Sequence, residues 1–175
     1  MKVIGFAGFS GSGKTTLIEA VIPHLVRLGL RVSLVKHAHH DFDIDQPGKD
    51  SYRHRIAGAS QVLVSSRVRW ALVNELRGAP EPSLQEQLAR LDPCELVIVE
   101  GYKHEPIAKI EVHRAGIPAP WLFASDANII AIATNENVVT HLPRFDLNDT
   151  ADIANFIADF IVAPNAMANK WTNVS

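Results

Sequence analysis

Apolar positions along this chain follow two rhythms. Short, nearly unbroken apolar runs occur at Lys2–Ala7, Arg31–Lys36, Glu95–Val99, Ile107–Val112 and Ile129–Ala133. Runs of that length, bounded by glycine, proline or polar residues, read as strands, and the continuous ELVIV run reads as one buried on both faces. The other rhythm is helical. Leu17, Ile18, Val21, Ile22, Leu25 and Leu28 recur at steps of three and four, predicting a helix over Thr15–Leu28. Pro23 interrupts that helix and Gly29 supplies a stop. Asp149–Ile161 repeats the helical spacing, with Asp149 or Thr150 at the cap. A strand, loop, helix and strand in succession open a parallel α/β fold.

The middle of the chain is different. His37–Gly48 is polar and aperiodic, a loop long enough to suggest function. Lys49–Ala59 reads as a short helix. Gln61–Ser65 and Val68–Val73 read as strands around a turn at Ser66 and Arg67, an antiparallel hairpin. Pro80 and Pro82 then break the chain, and Ser83 is placed to cap a helix running to Leu91.

Composition narrows the class. A chain of 175 residues that is 47% apolar suits one domain with a real core. A net charge of −2 argues against a general nucleic-acid binder. No window reaches the roughly 18 apolar residues of a membrane span, and the N-terminal apolar run is too short and glycine-rich for a signal peptide. The lone Cys94 excludes an internal disulfide and a cysteine-built zinc site. A cytoplasmic protein is expected.

The chemistry concentrates at Gly8-Phe9-Ser10-Gly11-Ser12-Gly13-Lys14-Thr15, which fits G-x-x-x-x-G-K-[ST] between a strand and a helix. Glycines allow positive φ and close approach to phosphates. Successive N–H groups form an anion cradle reinforced by the helix dipole. Lys14 is expected to span the β- and γ-phosphates, Thr15 to ligate Mg²⁺, and Thr16 to reach the α-phosphate, with Ser10, Gly11, Ser12 and Gly13 completing the nucleotide contact. The fold class expected is therefore a P-loop NTPase, with a mostly parallel sheet flanked by helices and a hairpin extension. The expected organisation is one P-loop domain over 1–163 and a flexible tail over 164–175.

Such a loop needs an acidic partner at a strand end. Glu100 follows ELVIV, and a carboxylate there holds Mg²⁺ or polarises the attacking water. Lys14 and Glu100 are the candidate catalytic residues. A second acid is sought among Asp41, Asp43 and Asp45, with Asp41 nearest the strand, although solvated loop acids give the same pattern. His37, His39 and His40 beside Asp41 and Asp43 suggest either a transition-metal site or a solvated loop. Lys49, Arg53, His54 and Arg55, with Arg67 and Arg69 on the hairpin, suggest a second anion site; an ordinary charged helix face reads equally well from the same residues.

The loop GFSGSGKTT, then VKHAHHDFDIDQPGKDSYRHRIAGA, VLVSS and ELVIVEGYK, resembles the molybdopterin-guanine dinucleotide biosynthesis protein B family over most of the chain. The resemblance implies a homodimeric GTP-binding adaptor with weak GTPase activity in molybdenum cofactor biosynthesis. It acts near the attachment of GMP to molybdopterin, with the transfer done by a partner nucleotidyltransferase. GTP and Mg²⁺ are the implied cofactors. Molybdopterin or its guanine dinucleotide is the implied small-molecule partner. The [NT]-K-x-D guanine signature is absent; Asn135, after a strand, is the residue available to donate to guanine O6. A small-molecule kinase and a metal-insertion GTPase are the competing readings of the same P-loop.

Overall fold

In a computed structural model the chain is described over residues 1–38 and 42–163. The elements are β1 (Lys2–Ala7), α1 (Lys14–Arg27), β2 (Val32–Lys36), α2 (Asp50–Ile56), β3 (Gln61–Ser65), β4 (Trp70–Asn74), α3 (Leu84–Leu88), β5 (Leu96–Glu100), β6 (Lys109–His113), β7 (Ile129–Thr134), β8 (Arg144–Phe145) and α4 (Thr150–Val162). They form two compact units, 1–37 with 87–175, and 38–86.

The larger unit is built on a six-stranded sheet in the order β2-β5-β1-β6-β7-β8, with every pair parallel. Parallel pairing requires crossovers, and the helices that make them cover the sheet. The apolar stripe of α1 (Leu17, Ile18, Val21, Leu25) and Ile153, Ala154 and Ile157 of α4 pack into one core with Ile4, Phe6, Ile98 and Ile110. A smaller cluster joins Ala7, Ile129 and Ile132 to Trp121, Leu122, Phe123 and Leu142. Pro23 is accommodated within α1 at an exposed position, and Gly29, at φ 84°, follows the helix end.

The smaller unit pairs β3 and β4 antiparallel, Val62 opposite Val73 and Leu63 opposite Leu72. Its turn differs from the expectation. The Ser66 hydroxyl accepts N–H bonds from Val68 and Arg69 and donates to Arg69 O, so residues 66–69 close the loop and β4 starts at Trp70, not Val68. Ser83 caps α3 as a reciprocal box: Glu86 N–H donates to Ser83 Oγ, and the Glu86 carboxylate accepts from Ser83 N–H and Oγ–H. The helix ends at Leu88, short of the expected Leu91.

Candidate nucleotide site

Parallel register assembles the site. β1 is flanked by β5 and β6, and Phe6 pairs with Glu100 while Lys36 of β2 pairs with the same residue. The C-terminal ends of these strands thus open on one edge, where open α/β sheets bind ligands. Glu100 is the last residue of β5, not the residue after it, and its side chain is buried. That placement aims it at α1: Thr15 Oγ1 donates to Glu100 Oε1 at 2.6 Å, and Lys36 Nζ lies 3.4 Å from Oε2.

The loop between β1 and α1 needs its glycines. A Cβ on Gly8 would stand 2.3 Å from the backbone oxygen of Val112, a clash no rotamer relieves. Gly13, the N-cap of α1, has φ 92°, and α1 has no side-chain cap. Its first N–H groups are therefore left for an anion. Lys14 Nζ donates to Gly8 O and Phe9 O, each at 2.9 Å, so the lysine closes back over the loop entrance with one of its three donors unused by these bonds. Burial pulls the Lys14 pKa below its usual value. Glu100 opposes the shift, while the nearby Lys36 and Lys103 ammoniums add to it. Lys103 sits 5.0 Å from the Phe9 ring centroid. A site in which desolvation and like charge depress a lysine is one that an anion relieves.

The other expected residues distribute as follows. Ser10, Gly11 and Thr16 are exposed on the loop and first turn. Ser12 is buried; its N–H donates to Phe9 O, and its Oγ finds no hydrogen-bond partner among the described residues. Asn135 follows β7, and its Oδ1 accepts the Ala115 N–H at 2.8 Å. Asp41, with His39 and His40, lies outside the described residues. His37 packs its ring 5.1 Å from Tyr102, and no cluster of three or more His, Cys, Asp or Glu side chains is found among the described residues.

Arg55 has a different occupation from the expected anion contact. Its guanidinium donates to Asp43, Asp45 and Glu75, at 2.6, 2.8 and 3.1 Å. Those three carboxylates raise its pKa further and surround it with excess negative charge, which an incoming phosphate would have to displace. Arg53 pairs with Asp50 at 3.7 Å, both exposed, and Lys49 is the N-cap residue of α2. The anion-site reading is therefore corrected at Arg55. Its role is to tie the loop ahead of α2 to the end of β4.

Two features escaped the sequence reading. Lys36, Lys103 and Arg114 add cations around the loop. Lys109 and Glu111, charges inside an apolar strand, are both buried. Lys109 Nζ binds Lys103 O, Glu105 O and the Asp126 carboxylate at 2.7 Å, while Glu111 accepts the Leu122 and Phe123 N–H groups. The KIEVH spelling was the available signal, since charges in a doubly buried strand survive only when paired.

Residues 3–135 match the family description "MobB: Molybdopterin guanine dinucleotide synthesis protein B". The chain belongs to the MobB family. It is 42% identical over 168 residues to the molybdopterin-guanine dinucleotide biosynthesis adapter protein of Escherichia coli (strain K12), covering 94% of this chain and 96% of that one. It is 41% identical to the adapter protein of Haemophilus influenzae, covering 92% and 90%. A crystal structure of molybdopterin-guanine biosynthesis protein B superposes with a TM-score of 0.71 at 27% identity, over 90% of this chain and 99% of that one. The MobB fold thus accounts for the parallel sheet and P-loop architecture. No helix among the described residues is long and apolar enough to cross a membrane.

Proposed function

We propose that this chain is a GTP-binding adapter of molybdopterin guanine dinucleotide synthesis, hydrolysing GTP slowly while a partner nucleotidyltransferase performs the GMP transfer. The observation that carries the nucleotide part is the Lys14, Thr15 and Glu100 constellation at one sheet edge. Membership of the MobB family supports the pathway.

The donor set suits magnesium. A hydroxyl and a buried carboxylate, 2.6 Å apart, are the hard oxygen donors of a cation that keeps its remaining positions for water and phosphate. Thr15 Oγ1 and Glu100 would hold Mg²⁺, which supplies charge neutralisation on the phosphates. Lys14 would exchange its two carbonyl partners for phosphate oxygens, and the free N–H groups at the start of α1 would orient the chain of phosphates. With its oxygen held by the Ala115 N–H, Asn135 has its amide NH₂ left to donate and would offer it to guanine O6. Slow turnover is expected, in keeping with an adapter whose partner carries the transfer. The protein acts in the cytoplasm.

A second copy of the chain covers the hairpin. Leu63, Leu72 and Trp70 share one face of the β3–β4 ribbon, and their exposures of 61%, 47% and 64% are unusual for large apolar residues. A two-stranded ribbon is marginal alone and has open edges. Leu72→Glu is expected to shift the protein from dimer to monomer in light scattering; a monomeric wild type at micromolar concentration contradicts the pairing.

Titration of GTP and ATP with Mg²⁺ tests the nucleotide assignment. GTP is expected to bind more tightly, and equal affinity would remove the guanine preference.

A further inference from the structure

The loop after β6 brings a fourth cation onto the phosphate-binding loop. A Cβ on Gly13 would lie 2.8 Å from Arg114 Nη2 and 3.4 Å from its Nε, so the guanidinium rests on the residue that caps α1. Arg114 is exposed, and among the described residues its guanidinium has no hydrogen bond or ion pair.

Electrostatically this is a poor place for an unpaired arginine. The start of α1 carries the positive end of the helix dipole, Lys14 is the next residue, and the Lys36 and Lys103 ammoniums already stand around the same loop. The scaffold nevertheless holds the arginine there. Ala115 N–H is fixed by Asn135 Oδ1 at 2.8 Å, and Ile117 N–H donates to Arg114 O at 3.2 Å. Ile117 also reaches the loop, with Cδ1 3.6 Å from where a Gly11 Cβ would stand. On the other side His113 stacks on Trp121 at 3.8 Å and lies 3.3 Å from the Glu136 carboxylate. A cation placed against a positive helix end by an anchored backbone, with no carboxylate supplied among the described residues, is neutralised when an anion enters.

We propose that Arg114 is a phosphate-binding residue of the nucleotide site, supplied in cis from β6 on the side of β1 opposite Glu100. Its guanidinium donates to the phosphate chain held by the N–H groups at the start of α1. The proposal rests on the reading of Gly8–Thr15 as a triphosphate site.

The test is calorimetric titration of Mg·GTP against wild type, Arg114→Ala, Arg114→Lys and Lys14→Ala, with the melting temperature of each ligand-free protein. Arg114→Ala is expected to bind about ten- to a hundred-fold more weakly, the loss of one charge-assisted contact. Arg114→Lys should recover part of that loss. The ligand-free melting temperature of Arg114→Ala should stay level or rise, because a repelled cation has been removed. Wild-type affinity in Arg114→Ala alongside a loss in Lys14→Ala overturns the assignment of Arg114 and leaves the P-loop reading standing. Weakened binding with a lowered ligand-free melting temperature and no rescue by lysine makes Arg114 a packing residue and also overturns it. Failure of the wild type to bind GTP overturns both readings.

Discussion

Glu111→Gln tests whether the segment after β6 is held as the structure shows. Glu111 is 1% exposed, and its two carboxylate oxygens each accept one backbone N–H, from Leu122 and Phe123, both at 2.8 Å. Glutamine keeps the shape but has one acceptor. Its carbonyl retains one bond, now neutral and worth about 1 kcal/mol, where the carboxylate bond is worth about 1.5–3 kcal/mol. Its NH₂ group must face the other N–H, leaving two buried donors without an acceptor at a cost of about 1–3 kcal/mol. Removing a buried charge recovers part of the desolvation penalty. The net expectation is a destabilisation of about 2–4 kcal/mol, or a fall in melting temperature of about 5–15 °C. Leu122 and Phe123 belong to the cluster with Ala7 and Ile129, so the loss also loosens the neighbour of the phosphate loop. Urea unfolding measures the total, and hydrogen exchange at the Leu122 and Phe123 amides localises it. A change below about 0.5 kcal/mol with both amides still protected would refute the reasoning.

The same residue gives a pH dependence. Burial holds the Glu111 carboxyl above its ordinary 4.5, against the pull of the two N–H donors. The folded chain therefore binds more protons than the unfolded chain just above pH 4.5, and this contribution to stability declines as pH rises through the folded value; Glu111→Gln should lack that decline in a pH series of urea midpoints. Gly8→Ala places a methyl 2.3 Å from Val112 O at a φ of 154°, and is expected to abolish nucleotide binding and lower the melting temperature clearly; a variant with wild-type melting and GTP affinity would contradict the loop geometry. Glu100→Gln keeps an acceptor for the Thr15 hydroxyl but removes the charge, so ligand-free stability should shift by no more than about 1 kcal/mol while the Mg²⁺ dependence of GTP binding falls about tenfold or more. Unaltered Mg²⁺ dependence would remove Glu100 from the metal site.

Much of the sheet was legible because doubly buried parallel strands are written as short apolar runs, and α1 and α4 because one stripe of each is buried. β8 was missed: two residues, Arg144 and Phe145, carry no periodicity, and pairing to β7 alone defines them. The strand reading stopped one residue early, at Val99, because a carboxylate reads as lying beyond an apolar run until parallel register aligns Glu100 with Phe6 and Lys36. Arg55 read as an anion contact because sequence cannot show that Glu75, twenty residues on, returns to the same guanidinium. Arg114 carried no signal at all. Its relation to Gly13 depends on β6 lying beside β1, a contact between residues about a hundred positions apart.

The central claim is that Gly8–Thr15 with Glu100 binds Mg·GTP. Its most direct measurement is the affinity of Mg·GTP for wild type against Lys14→Ala under identical salt. The structure predicts saturable binding by the wild type and a loss of at least about a hundred-fold in the variant, since the ammonium contributes a charge-assisted contact from a desolvated position. Undiminished binding by Lys14→Ala, or no binding by the wild type, would contradict it.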